Sequence, residues 1–357
     1  MQKKVGILTF HRAHNYGAVL QCYALQEVLK AMGCDVVVID FRQRQIERGS
    51  LPFSWAQFLW CSVRPRAMFK YLRAMPQRRR DKRLFSSFRE RWIDLSPRCN
   101  RDSMPMDKDL YIIGSDQLWG LHCTGGLEPV YFGDFSRNAT SSVVGYAISS
   151  NSDSIESIDK ERLLDYTARF KNLSFRESLI SQQVSEKCGC ASRVDIDPTL
   201  LAEPSTWENM LNHSWAEERY VLLYEVRYNP TDKNLLRRKA DELAQSLGCS
   251  VVDLSQISYS VEDFVSLFKY AQCVVTSSFH ATVFSLIFET PLQAVRLGDG
   301  HDGRYESLLK ALGAEDMLVD MNFTPQRIEV NYKDVKERLA ALRENSMAYL
   351  RDMTVEP

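Results

Sequence analysis

The sequence predicts an α/β protein built as two successive doubly wound, Rossmann-like domains. Three observations carry that reading. Short β-branched runs alternate with amphipathic stretches of helical period; the alternation restarts near residue 200; and 357 residues are more than one hydrophobic core ordinarily serves. The predicted domains are residues 1–200 and 201–357, with a final helix that packs back on the first domain. Two halves of this kind imply a ligand cleft between them.

The elements follow in order. Val5 to Thr9 is a strand, Phe10 to Gly17 a loop, and Ala18 to Met32 a helix closed by Gly33 as its C-terminal cap. Val36 to Ile39 is the next strand. Residues 42 to about 107 break the rhythm, because no β-branched run appears there. Between residues 64 and 92 eleven Lys or Arg stand against two acidic residues, with Met68, Phe69, Tyr71 and Leu72 among them. This stretch reads as an inserted pair of basic, aromatic-bearing helices. Strands resume at Leu110 to Ile113 and Ser142 to Ile148, followed by helix Ile158 to Phe170, strand Leu173 to Phe175 and a helix from Glu177. A polar turn at Asp195 to Pro198 leads out of the first half.

The second half begins with strand Tyr220 to Val226, helix Asp232 to Leu247, strand Ser250 to Leu254 and helix Val261 to Tyr270. Strand Cys273 to Thr276 then runs into Ser277 and Ser278, which open an apolar helix ended by Pro291. Strand Leu292 to Val295 and helices Arg304 to Leu312 and Tyr332 to Leu350 complete the order.

Bulk properties limit the function classes. A net charge of −1 gives no global field for nucleic acid, and no nucleic-acid motif accompanies the basic segment. That segment is instead expected to lie against anionic lipid at the inner face of the membrane, or to be a solvated helical face. The nine cysteines are odd in number and sit mostly in apolar runs, which suits a reducing cytoplasm. Cys188 and Cys190 form one close pair with no second pair beside it, so no metal site is expected. The opening residues lack the apolar run of a signal peptide.

Several short motifs fall just past predicted strands, where open α/β sheets build their sites. His280 lies in the first turn of the helix after Thr276, where helix-start amides can hold an anion beside a titratable ring. A serine-capped core helix accounts for the same residues. Asn15 and Gly17 stand at the entry to the first helix, without the glycine spacing of a dinucleotide fingerprint. Asp116, Gln117 and Trp119 offer the carboxylate, amide and indole that a sugar site uses; a capped turn is the alternative. Arg176 suits a bidentate clamp on phosphate or carboxylate, or an ion pair with Glu177. Arg304 follows a flexible loop, 298–303, as a further anion ligand.

The order of these motifs resembles the polysaccharide pyruvyl transferase family. The resemblance rests on Val5 to Phe10 with Asn15 to Gln26, Gly114 to Trp119, Gly145 to Ser149, Ser174 to Glu177, Asp197 to Leu201, Ser278 to His280 and Arg304 to Leu309. It implies a fold similar to the GT-B glycosyltransferases. It further implies transfer of the pyruvyl group of phosphoenolpyruvate, without a cofactor, onto two sugar hydroxyls of a glycan or lipid-linked oligosaccharide, giving a cyclic ketal. The first domain would then take the acceptor and the second the donor. For that chemistry His280, which matches the family's histidine, is the expected acid, Asp116 the expected group that orients or deprotonates the acceptor, and Arg176, at a family arginine position, with Ser277, Ser278 and Arg304 the expected donor ligands. Asn15, Gly17, Gln117 and Trp119 would contact the acceptor, Trp119 as a platform under the sugar. Family members characteristically carry Arg-Leu-His where this chain has Ser278-Phe279-His280. A GT-B glycosyltransferase using a nucleotide-sugar, or a non-catalytic scaffold for glycan assembly, would use the same fold.

Overall fold

A computed structural model describes residues 2–355 apart from 52, 54, 230, 299–301, 327 and 329. The chain divides into two units, residues 1–202 with 344–357, and residues 203–343.

The first unit opens with β1 (Lys4–Leu8), α1 (Tyr16–Ala31) and β2 (Asp35–Val38). The insertion follows as α2 (Arg44–Ser50), α3 (Trp55–Ser62) and the long α4 (Pro65–Trp92), one helix more than the predicted pair. Next come β3 (Leu110–Ile113), α5 (Leu121–Thr124), β4 (Ser142–Gly145), α6 (Ser152–Ser157) and α7 (Lys160–Thr167). β5 (Ser174–Phe175), α8 (Ser178–Cys188), β6 (Arg193–Val194) and α9 (Pro198–Leu201) complete it. The main sheet is parallel with order β2-β1-β3-β4, and β5 and β6 pair beside it. Every residue of β3 is buried, as a continuous apolar run in a parallel sheet requires. β4 stops three residues before the predicted Ile148, because Ala147 has φ +46° and turns the chain at the sheet edge.

The second unit carries α10 (Pro204–Glu208), β7 (Tyr220–Tyr224), α11 (Leu235–Leu247), β8 (Ser250–Asp253), α12 (Val261–Tyr270) and β9 (Cys273–Thr276). Then follow α13 (Phe279–Ile287), β10 (Leu292–Arg296), α14 (Gly303–Leu312), β11 (Leu318–Asp320) and α15 (Tyr332–Val355), whose last turns belong to the first unit. The sheet is again parallel, with order β11-β10-β9-β7-β8. Its edge strand β11 was not predicted, since three residues at a half-exposed edge carry too little apolar pattern. Val221, Leu223, Val275 and Val295 on the sheet and Leu236, Ala240 and Leu243 on α11 share one core cluster.

Each strand order places a topological switch point. In the first sheet β2 and β3 lie on opposite sides of β1, so the loops after β1 and β3 flank it. In the second, β8 and β9 flank β7, so the loops after β7 and β9 do. Among the described residues no helix is long and apolar enough to cross a membrane.

Candidate active site

In the first unit four motifs meet in one buried network. The Arg176 guanidinium, with its side chain 4% exposed, donates to Asp197 at 2.7 Å, to Glu177 at 3.0 Å and to the Ser149 hydroxyl at 2.9 Å. Ser149 donates in turn to Glu177 at 2.8 Å. Asp197 caps α9, accepting from the Thr199 amide at 3.0 Å and the Thr199 hydroxyl at 2.6 Å, and Ser115 donates to it at 3.4 Å. Burial alone would discourage charge on Arg176, but Glu177, Asp197 and Asp116 outweigh it and hold its pKa above the ordinary value. This corrects the expectation that Arg176 clamps the donor: its fork is committed to carboxylates that need it.

Trp119 is corrected in the same way. It is fully buried, stacked on Phe132 at 4.6 Å between centroids, and its indole N–H donates to the Tyr131 carbonyl at 2.9 Å. A ring with no exposed surface cannot lie under a sugar. Asp116 and Gln117 stay half-exposed at the tip of β3. Asp116 adopts φ +72°, a conformation few non-glycine residues take, and its carboxylate accepts from the Gln117 amide at 2.8 Å. Gly114 before it has φ +137°, and any Cβ there would drive into the Tyr146 carbonyl oxygen. Strained backbone thus presents Asp116 at the switch point. Asn15, exposed, caps α1 by accepting from the Ala18 amide at 3.2 Å, and Gly17 is buried in the first turn. Gln21, one turn on, donates to Thr9 at 2.8 Å and accepts from the Ser115 amide at 3.2 Å, tying loop one to the Asp116 turn.

In the second unit Ser277, Ser278 and His280 stand where β9 enters α13. Ser278 is the N-cap, and its hydroxyl accepts from the Ala281 amide at 3.5 Å. Ser277 is buried and donates to the Arg227 carbonyl at 3.0 Å. His280 is half-exposed, its ring edge-on to Phe279 at 5.2 Å.

Two groups here were missed in the sequence. Arg227, in the loop after β7, donates to the Ser277 carbonyl at 3.2 Å, to Asp302 at 2.8 Å and to the Tyr305 hydroxyl at 3.3 Å. Burial would raise the Asp302 pKa, but hydrogen bonds from Tyr305 and Arg227 outweigh it and hold it low. Asp302 also accepts from the Leu297 and Gly298 amides at 2.9 and 2.7 Å, fixing the start of the loop before α14. Residues 299–301 of that predicted flexible loop lie outside the described residues, and Arg304 at its end is half-exposed. Glu225, two residues before Arg227, is 5% exposed, and burial, then the charges of Asp253 and Asp232, push its pKa up to about 7. The signal for both was their place just past a strand. What was missing was the strand order that sets that strand at the switch point, between β9 and β8.

The fold is of the GT-B class. UDP-GlcNAc 2-epimerase from Methanocaldococcus jannaschii is similar at a TM-score of 0.54 and 10% identity over 100% of both chains. E. coli heptosyltransferase with ADP has a TM-score of 0.39 at 12% identity, over 95% of this chain and 99% of that one. No curated protein matches the sequence. Residues 15–295 match the polysaccharide pyruvyl transferase family, and the chain belongs to it.

Proposed function

We propose that the protein transfers the pyruvyl group of phosphoenolpyruvate to two hydroxyls of a surface-glycan precursor, forming a pyruvate ketal. The observation that carries this reading is the family match, together with an imidazole and a guanidinium at the second sheet's switch point. Phosphoenolpyruvate is a small polyanion, which calls for a guanidinium and helix-start amides. Arg227 supplies the charge that family members carry at the position of Ser278, and Arg304 adds a second cation from α14. Arg227 reaches that place from a different strand, through its hydrogen bond to the Ser277 carbonyl.

His280 protonates the methylene carbon of the donor, which leaves a cationic centre at the adjoining carbon. One acceptor hydroxyl adds there and the bond to the phosphate oxygen breaks. The second hydroxyl then closes on the same carbon. Of the two hydroxyl protons, one balances the new methyl group and one leaves with phosphate. Asp116 takes the proton from, or orients, the attacking hydroxyl, with Asn15, Gly17 and Gln117 on the acceptor side. We further assign the α3–α4 hairpin to the inner face of an anionic membrane, where a lipid-linked acceptor would be met.

The test is ligand-induced thermal stabilisation by phosphoenolpyruvate and by nucleotide-sugars, followed by phosphate release with glycan acceptors. Phosphoenolpyruvate should stabilise the protein, by about 2.7 kcal/mol at a hundredfold excess over Kd. Arg227→Met should abolish that shift, and His280→Gln should keep it while lowering turnover by about 10²-fold or more. Stabilisation by a nucleotide-sugar alone would replace this reading with glycosyl transfer. Indifference of glycan assembly to loss of His280, Arg227 and Arg304 together would replace it with a scaffold.

A further inference from the structure

Loop one and α4 bring together a concentration of positive charge that the transfer chemistry does not use. Phe85 of α4 stacks on His14 at 5.2 Å with the rings 9° from parallel, and Phe88 and Trp92 pack against Tyr23 of α1. Arg89 lies one turn beyond Phe85, so it faces the same loop. It is 4% exposed; one terminal nitrogen donates to Ser86 at 3.0 Å, and the other, Nη1, is buried with no hydrogen-bond partner among the described residues. Arg12 pairs with Glu47 at 2.6 Å and approaches Asp40 at 3.6 Å. Asp40 is already held by His11 at 3.0 Å and Arg42 at 2.9 Å.

Among the described residues, Asp40 and Glu47 are the carboxylates that meet Arg12 and Arg42, while Arg89 has no ion pair of its own, with Lys82 close enough to add its charge and Glu90 to oppose it. Burial and the neighbouring cations act on the cluster's members in the same direction. Burial, then the charges of Arg89, Arg12 and Lys82, push His14 down to about 4. Burial, then Arg12, push Arg89 down to about 10. The positive end of the sixteen-residue α1 begins at the same loop. A buried guanidinium with no carboxylate of its own lowers stability unless an anion from outside offsets it.

We infer that Arg12, His14 and Arg89 form an anion-binding site in the first unit, whose charge suits a phosphate or diphosphate group. This goes beyond the transfer reading and stands whether or not a pyruvyl group is moved. The group could belong to a soluble nucleoside diphosphate or to a polyprenyl diphosphate lipid.

Calorimetric titration of the full chain with inorganic pyrophosphate tests it, with NMR of the His14 ring alongside. Saturable binding is expected, and Arg89→Met and Arg12→Gln should each weaken it by about tenfold or more. Binding should also raise the His14 midpoint from about 4 toward its ordinary 6.5. Without ligand, Arg89→Met should melt no lower than the wild type, since it removes an uncompensated buried charge. Geranyl diphosphate binding more tightly than a nucleoside diphosphate would assign the group to lipid, and the reverse to a soluble substrate, provided both are weakened by Arg89→Met. Absence of saturable binding, equal binding by both variants, or a lower melting point of Arg89→Met with pyrophosphate binding intact would each overturn the site. Stabilisation by phosphoenolpyruvate should survive in Arg89→Met; its loss there would move the donor to this loop and equally overturn the inference.

Discussion

Arg176 and Arg227 stand just past strands in different sheets, and their surroundings give them different work. Arg176 holds Asp197 and Glu177 in a site almost closed to solvent, so its removal strands two carboxylates. Arg176→Met should therefore lower stability by about 3–5 kcal/mol in denaturant unfolding, whatever ligand is present. Arg227 is 18% exposed and pairs with Asp302, so its replacement should be read in ligand binding before it is read in stability. Glu225 adds a pH dependence of its own. Its pKa is about 7 folded against 4.5 ordinarily, so the folded state holds a proton that the unfolded chain releases. Stability should fall as pH rises through that interval, and Glu225→Gln should flatten the fall in melting temperatures taken from pH 4.5 to 8. An unchanged slope would mean that Glu225 is ionised in the fold.

At the scale of elements, the α3–α4 hairpin separates its residues by environment. Cys61 and Tyr71 are buried, and the Phe58 ring lies 6.5 Å from that of Tyr71. Leu59, Trp60, Val63, Phe69 and Leu72 are instead exposed, Trp60 at 58% and Phe69 at 68%, among Arg64, Arg66, Lys70 and Arg73. Arg64 sits over the Trp60 ring at 4.2 Å. Exposed apolar side chains ringed by cations match the chemistry of an anionic lipid surface, with rings at headgroup depth and cations on the phosphates. Flotation with phosphatidylglycerol vesicles should recover the protein, and neutral phosphatidylcholine should not. Trp60→Ser with Phe69→Ser should lower recovery about tenfold, and salt should weaken it further. Self-association lost in the same variant, without vesicle binding, would give this face to a second copy.

For the whole molecule, the fold class and the family were legible because both are written locally. β3 and β9, with their apolar runs, and α12, with its capping serine, keep their predicted bounds. The ends of β4 and the existence of β6 and β11 were not legible, since short edge pieces owe their form to neighbours rather than to their own pattern. The site was legible in part. The motifs around Asp116 and His280 lie past their strands, but the sequence gives no sign that Trp119 turns inward or that Arg176 meets Asp197, 21 residues on. Arg227 could not be ranked above other loop arginines until β7 was known to lie at the switch point, between β9 and β8. Such facts belong to strand order, which no single segment contains.

The last helix carries a further consequence. Its residues from 344 onward complete the first unit: the Tyr349 hydroxyl donates to the Gly145 carbonyl at 2.9 Å, and the Ser346 hydroxyl accepts from the Ile196 amide at 3.2 Å. During translation that stretch leaves the ribosome after every residue of the second unit. The first unit can therefore be completed only after the second has been synthesised, and until then the Gly145 carbonyl at the end of β4 lacks its Tyr349 donor.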